Sequence, residues 1–275
     1  MTNAALAAVQ FSNTQLADIL ELRNVSQVYP GGKVVLDEVN FLVEDKPDRG
    51  QFIVFLGESG CGKSTVLRWL AGLQKPTSGQ VLIKGKSAND KTAMPMVFQE
   101  YSSLPCYSVL ENVMLPLRFR GVPRDQAREE AMTIIQAVGL GGHEHKYAKR
   151  PLLSGGQMQR VAIARSLITS PEIVLMDEPF GALDINTRND MQFLLSQIYD
   201  KLHPTIIFVT HAVDEAVFLA DDIYIMRKDP GKFVYHIPVT LPYTNRDRET
   251  KRMPEFTRLV HEVEDAVESL RAQAA

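Results

Sequence analysis

The sequence predicts an α/β fold built on a parallel sheet, and three observations carry that expectation. Short, unbroken apolar runs rich in β-branched residues, at 52–56, 173–176 and 206–209, have the length and composition of strands buried on both faces. Helix-forming stretches separate them, and strand then helix repeated along a chain implies parallel strands wrapped by helices. With 275 residues, 45% of them hydrophobic, the chain can fill a core without disulfide or metal staples. Its two cysteines, Cys61 and Cys106, are too few and too scattered for a secreted framework and point to a reducing compartment.

Taken in order, residues 1–18 read as an N-terminal extension, with neither the basic start nor the unbroken apolar stretch of a secretory signal. Residues 20–43 alternate apolar and polar around Pro30-Gly31-Gly32, as paired strands of a smaller antiparallel layer do. A single domain is expected over 19–241, with its core in 19–99 and 168–241 and a helical subdomain at about 100–167, punctuated by Pro116, Gly121, Pro123 and Gly139. Pro123 should open a helix whose Ala127, Ala131, Ile134, Ile135 and Val138 share one face, closed by Gly139. Another helix should run from Met158 to Thr169. The chain then turns at Asp229-Pro230-Gly231 and ends in a helical tail, 242–275, with Phe256, Leu259, Val260, Val263, Val267 and Leu270 on one face, expected to pack on the parent domain, with a dimer contact as the alternative.

No apolar run approaches the roughly 20 residues that span a bilayer. The balance of 30 Lys+Arg against 33 Asp+Glu, a net −3, argues against nucleic acid as the main partner.

The chemistry concentrates in three places. Gly57, Glu58, Ser59, Gly60, Cys61, Gly62, Lys63 and Ser64, followed by Thr65, form G-x-x-x-x-G-K-S between an expected strand and an expected helix. Glycines there let backbone N–H groups curl around a β-phosphate, the helix start adds positive potential, Lys63 neutralises β/γ charge and Ser64 offers a hydroxyl to Mg²⁺. The strand at 173–176 ends in Asp177 and Glu178. Side chains alternate along a strand, so one carboxylate can hold Mg²⁺ while the other orients or deprotonates a water. Leu153-Ser154-Gly155-Gly156-Gln157 precedes a helix, and from the residues alone it is either a second anion site or a helix capped by Ser154. Two smaller features stand beside these. Cys61, near a helix start and Lys63, occupies surroundings that can lower a thiol pKa, and His143 and His145 without further ligands read as a solvated loop rather than a metal site.

With these residues in hand, the chain resembles the ATP-binding subunit of an ABC transporter over about 20–226. GESGCGKST resembles the Walker A motif, Gln99 the Q-loop glutamine, LSGGQ at 153–157 the family signature and VLMDE at 174–178 the Walker B. Gly181-Ala-Leu-Asp184 resembles the D-loop and His211 the switch histidine, while Tyr29, 28 residues before Gly57, stands where the family places a ring under the adenine. The resemblance implies an ABC-type P-loop NTPase fold, ATP and Mg²⁺ as ligands, and Ser64, Gln99 and Asp177 around the metal. It casts Glu178 as general base, with His211, Gln99 and Lys63 at the γ-phosphate. It also implies two subunits head to tail, identical or not, each signature covering the ATP of the other.

Transmembrane permease subunits, an extracytoplasmic substrate-binding protein and a place on the cytoplasmic face of the inner membrane follow from an importer. The strings DEPFGALD with Thr187-Arg188, and EAVFLAD at 215–221, resemble the group importing nitrate, sulfonates, taurine and bicarbonate. The sequence departs from that pattern at Ala212, usually Asp, at Gly181, commonly Ser, and at Leu104-Pro-Cys-Tyr107, which lacks a tryptophan. Another class of ABC transporter, an exporter included, or a soluble ABC ATPase of DNA repair or translation are the alternatives. The latter lacks here its coiled coil, zinc cysteines or second cassette, and a P-loop kinase or GTPase would leave LSGGQ and His211 without a role.

Overall fold

A computed structural model describes residues 18–46, 49–88 and 94–274, so all but one residue of the expected N-terminal extension lie outside it. Strands β1 (Leu20–Tyr29) and β2 (Lys33–Val43) form the expected antiparallel pair, turning at Pro30-Gly31-Gly32. Then come β3 (Phe52–Gly57), α1 (Lys63–Leu70), β4 (Ser78–Ile83), β5 (Lys86–Ser87) and β6 (Met96–Val97). Three helices follow, α2 (Val109–Phe119), α3 (Arg124–Ala137) and α4 (Gly155–Leu167). The chain continues through β7 (Ile173–Asp177), α5 (Ile185–Leu202), β8 (Thr205–Thr210), α6 (Val213–Leu219), β9 (Asp222–Arg227) and β10 (Lys232–Pro238). It closes with a short 3-10 turn, Thr250–Arg252, and α7 (Pro254–Ala274).

The four-stranded sheet runs β2-β1-β4-β5 and the six-stranded one β10-β9-β3-β8-β7-β6. In the larger sheet β9, β3, β8, β7 and β6 are parallel and only edge strand β10 is antiparallel. The three apolar runs are thus adjacent central strands, covered on both faces. Alternation along β3 divides its side chains between two cores: Phe52, Val54 and Leu56 pack with the helices, Ile53 and Phe55 with α1 and the antiparallel layer. On that second side Phe41 meets Phe55 edge-on at 5.0 Å, and buried Trp69 of α1 donates from Nε1 to Gln27 Oε1 at 3.1 Å.

Sequence logic holds in the helical layer with local differences. Ser108 and Glu111 make a reciprocal capping box at the start of α2, and the helix runs through Pro116 for one more turn rather than breaking there. In α3, Ala127, Ala131 and Ile135 are buried, but Pro123 is the residue just ahead of the first helical one, and Ile134 is only half-buried. Helix α4 begins at Gly155, earlier than the expected Met158, because Ser154 caps it. Strand β10 has no counterpart in the sequence reading. Half-buried along most of its length and carrying Lys232 and His236, it lacks the continuous apolar signal of the central strands.

Arg246 fastens the tail by donating to Phe218 O at 3.0 Å and Ala220 O at 2.7 Å, as does Tyr243, whose hydroxyl donates to Gly50 O at 2.8 Å. Beyond them α7 buries Phe256, Leu259 and Val263, with Val260, Val267 and Leu270 packed partly against the same core. No helix among the described residues is long and apolar enough to cross a membrane.

Helix α6 starts at Ala212, which has the extended backbone of an N-cap and no side chain to accept the free N–H groups. Ala212→Asp is expected to stabilise the protein by about 1 kcal/mol, raising Tm by about 2–4 °C in thermal unfolding.

Candidate functional site

The site lies where the parallel strands end. Register aligns Leu56 with Thr210, Val209 with Asp177 and Met176 with Val97. The four chain segments that leave these strands at their carboxyl ends are the loop from Gly57, His211, Glu178 and the approach to Gln99. Ligands of open parallel sheets bind at this edge.

The loop 57–65 wraps the start of α1. Gly62 has φ +105°, and a Cβ there would come within 2.5 Å of Leu36 Cδ2, so both backbone conformation and packing require glycine. Lys63, 4% exposed, folds back to donate from Nζ to Gly57 O at 2.7 Å and Glu58 O at 3.0 Å, and Nζ stands 3.9 Å from Glu178 Oε1. Ser59 and Gly60 are exposed at the loop crest and Thr65 is buried beneath it. Glu58 binds Arg271 of α7 at 2.7 Å and approaches Lys228 at 3.6 Å, so the end of the tail reaches the loop. Cys61 departs from expectation: it is 1% exposed, and burial pushes its thiol up from its ordinary value, outweighing the opposing charge of Lys63. The helix start and the lysine do not produce a reactive thiolate there, because desolvation dominates.

Ser64 Oγ donates to Asp177 Oδ1 at 2.8 Å. Burial raises the Asp177 carboxyl above the usual range, the Ser64 hydrogen bond opposes this, and neighbouring Glu178 adds to the rise. A hydroxyl and a carboxylate in contact at the loop are hard oxygen donors of the kind Mg²⁺ takes, so these residues fit that ion. Glu178 differs from Asp177 for a reason other than strand alternation. It has left β7 with φ +43°, held by its N–H to Val209 O at 3.0 Å, and its Oε2 meets His211 Nδ1 at 3.0 Å. Glu178 is 15% exposed and His211 53%, a sheltered carboxylate oriented by an imidazole at its open side.

Gln99 is exposed on the segment after β6 and hydrogen bonds to neither Ser64 nor Asp177. It neighbours Gly181, where a Cβ would lie 3.4 Å from Gln99 Nε2 and 3.8 Å from Glu178 Oε2. A serine there would therefore fit in ordinary contact with both. Tyr29 is half-exposed at the end of β1 rather than buried. Its hydroxyl is tied to Gln74, 3.2 Å from Nε2, and to Thr65, bonds that lower its pKa.

Signature and D-loop residues assemble beside each other. Ser154 Oγ accepts from Gln157 N at 3.2 Å, Gln157 Oε1 accepts from Ser154 N at 2.9 Å, and Leu153 is buried behind them. Asp184 caps α5 by accepting from Thr187 N at 3.1 Å, and the methyl of Thr187 would be 2.5 Å from a Cβ on Gly156. Gly156 is thus a contact glycine between the two motifs, and Gly155, half-buried at the helix start, is one as well, since a Cβ there would collide with the Tyr101 hydroxyl. No hydrogen bond or ion pair among the described residues joins 153–157 to the loop 57–65.

Sequence reasoning missed what touches these motifs. His143 Nε2 lies 3.3 Å from Gln157 Nε2, and its Nδ1 is buried without a partner, so His143 is packed against the signature while His145 is exposed, as a solvated loop residue is. Among the described residues no group of three His, Cys, Asp or Glu side chains could hold a metal. Such contacts cross many positions of sequence, and no spacing signals them.

Comparison with known proteins agrees with this geometry. A family model described as ABC transporter matches residues 37–181. The chain is 39% identical over 253 residues to the nitrate import ATP-binding protein NrtD of Synechocystis sp., covering 89% of this chain and 93% of that one. It is 41% identical over 249 residues to the taurine import ATP-binding protein TauB of Rhizobium johnstonii, covering 87% and 92%. The bacterial ABC transporter cassette MJ0796, solved as a dimer, superimposes with a TM-score of 0.68 at 31% identity, over 80% of this chain and 98% of that one. Motif order, fold and relatives converge: the chain belongs to the ABC transporter ATP-binding family, whose domains hydrolyse ATP to power transport.

Proposed function

We propose that this ATP-binding subunit drives an importer of small anions of the nitrate and sulfonate kind, and that it works as a pair closed by ATP. The observation that carries the mechanism is the convergence of Lys63, the Ser64–Asp177 contact and the Glu178–His211 pair at one edge of the parallel strands. Tyr29 would lie against the adenine. Loop N–H groups and Lys63 would hold the β- and γ-phosphates, trading the loop carbonyls that Lys63 now caps for phosphate oxygens. Ser64, Asp177 and Gln99 would hold Mg²⁺, which when bound neutralises phosphate charge. Glu178 orients or deprotonates the attacking water, and His211 fixes that carboxylate and faces the γ-phosphate.

The signature would act on the nucleotide of a second ATP-binding subunit, identical or related. Ser154 and the first N–H groups of α4 would complete a γ-phosphate shell across the interface, so that closure depends on that phosphate and hydrolysis releases it. Permease subunits would dock beside Gln99 and the α2–α3 layer, holding the protein on the cytoplasmic face of the inner membrane, with a capture protein outside. The import of anions draws its support from the strings at 177–184 and 215–221 together with the nitrate and taurine relatives.

Glu178→Gln is expected to keep ATP binding while turnover falls about 10²–10⁴-fold, and unchanged hydrolysis would remove Glu178 from that role. Ser154→Arg should leave nucleotide binding to the isolated subunit intact and abolish its ATP-dependent dimer in size-exclusion chromatography. For the substrate, calorimetry on the capture protein encoded beside the cognate permease should find a small anion. Binding of a polyamine or another cation would overturn the assignment.

A further inference from the structure

A chain of hydrogen bonds, buried beyond its first member, joins the tail to the first turn of α6, the helix that follows His211. Lys251, in the 3-10 turn before α7, donates from Nζ to Gln192 Oε1 at 2.6 Å and to Asn189 Oδ1 at 2.8 Å on α5, and lies 4.9 Å from the centre of the Phe218 ring. Gln192, fully buried, donates from Nε2 to Glu215 Oε1 at 3.1 Å. Glu215, 3% exposed, stands in the first turn of α6 just after Ala212, and Thr210 Oγ1 accepts from Ala212 N at 3.1 Å. Thr210 and Ala212 are the residues on either side of His211.

The direction of this chain is set at its tail end. An ammonium can only donate, so Gln192 must turn its oxygen to Lys251 and its NH₂ to Glu215. The carboxylate accepts from Gln192 and so fixes the first turn of α6, while Thr210 Oγ1 accepts from the Ala212 N–H. Without the ammonium, the amide loses the partner that fixes its orientation, and a buried carboxylate loses an oriented donor. Burial already raises the Glu215 carboxyl, against the nearby Thr210 side chain and the Gln192 hydrogen bond; Asp214 and Arg188 are the other charges that act on it.

We propose that Lys251 is a positioning residue for the switch loop: acting through Gln192 and Glu215, it holds the first turn of α6 and with it Ala212, and thereby sets His211 against Glu178. The inference deepens, and rests on, the reading of Glu178 and His211 as the hydrolytic pair.

Lys251→Met in the full chain keeps the aliphatic stem over Phe218 and removes the ammonium. The kcat for ATP hydrolysis should fall about tenfold with KM within about twofold, and hydrogen exchange at the Ala212 amide of the nucleotide-free protein should quicken about tenfold. In a Glu215→Gln background, where no buried charge needs a partner, the same substitution should change neither quantity; this comparison also holds should the single variant fold poorly. Wild-type kcat and exchange in Lys251→Met, or an equal loss in both backgrounds, would overturn the proposal. Exchange does not depend on hydrolysis. Quickened exchange in a protein whose wild type hydrolyses no ATP would therefore support the relay and overturn the hydrolytic reading.

Discussion

The parallel register of β3, β8 and β7 is the constraint on which the site depends. Because Leu56 pairs with Thr210 and Val209 with Asp177, three strands stop within two residues of one another and their next residues share a single edge. A parallel pair cannot be joined by a tight turn, so each of these exits begins a long crossover, and the residues with special chemistry stand at its first positions. A slip of one residue in β7 would exchange its two faces, burying what now faces the helices and carrying Asp177 away from Ser64. Continuous apolar runs lock against that slip, since Phe52, Val54 and Leu56 fill one core and Ile53 and Phe55 the other.

Charge at this edge is arranged as a set of partly compensated neighbours. Lys63 is almost wholly removed from water, yet its ammonium has two carbonyl acceptors and a carboxylate at 3.9 Å. That combination satisfies the buried cation and leaves it ready to exchange partners for phosphate oxygens, because carbonyls of the same loop bind it less strongly than an anion does. Asp177 is the opposite case. Its burial raises the carboxyl and one hydroxyl opposes that, an arrangement in which added positive charge has the most to gain. Glu178 stands between these, reaching Lys63 with one oxygen and His211 with the other.

Much of this was legible in the sequence because it is written locally. Strands β3, β7 and β8 announce themselves as short apolar runs, and the loop at 57–64 is defined by fixed spacing between a strand and a helix. The face of α7 was likewise visible as a helical stripe. What failed did so for identifiable reasons. Cys61 was judged by its neighbours in sequence, whereas its pKa follows from burial beneath the loop. Strand β10 gains its place from pairing with β9, and its own pattern is weak. Alternation along β7 is the wrong reason for separating Asp177 from Glu178, since the strand ends at Asp177 and Glu178 itself takes the left-handed backbone. The Lys251–Gln192–Glu215 chain joins three elements, and no window of sequence contains it.

The signature helix shows how self-satisfaction at one point leaves demand at another. In α4 the capping box uses the Ser154 oxygen and the Gln157 amide oxygen, the Gln157 Nε2 is turned to His143, and Gln157 N is paired within the box. The N–H groups of Gly155 and Gly156 have no intrahelical acceptor, as the first donors of any helix do not. Gly156 cannot carry a side chain that might fold back to accept, because Thr187 occupies that space, and the D-loop helix it belongs to is itself capped by Asp184. Two adjacent donors at a helix start are therefore held open by packing on both sides, with no side chain of their own motif able to close them. An acceptor for them has to come from outside the motif, and the loop at 57–65 of the same chain makes no bond to it. In the proposed pair that acceptor is the phosphate of a nucleotide on a second subunit: the capping box would supply the rigidity, Thr187 would keep the surface bare, and the helix start would supply the field.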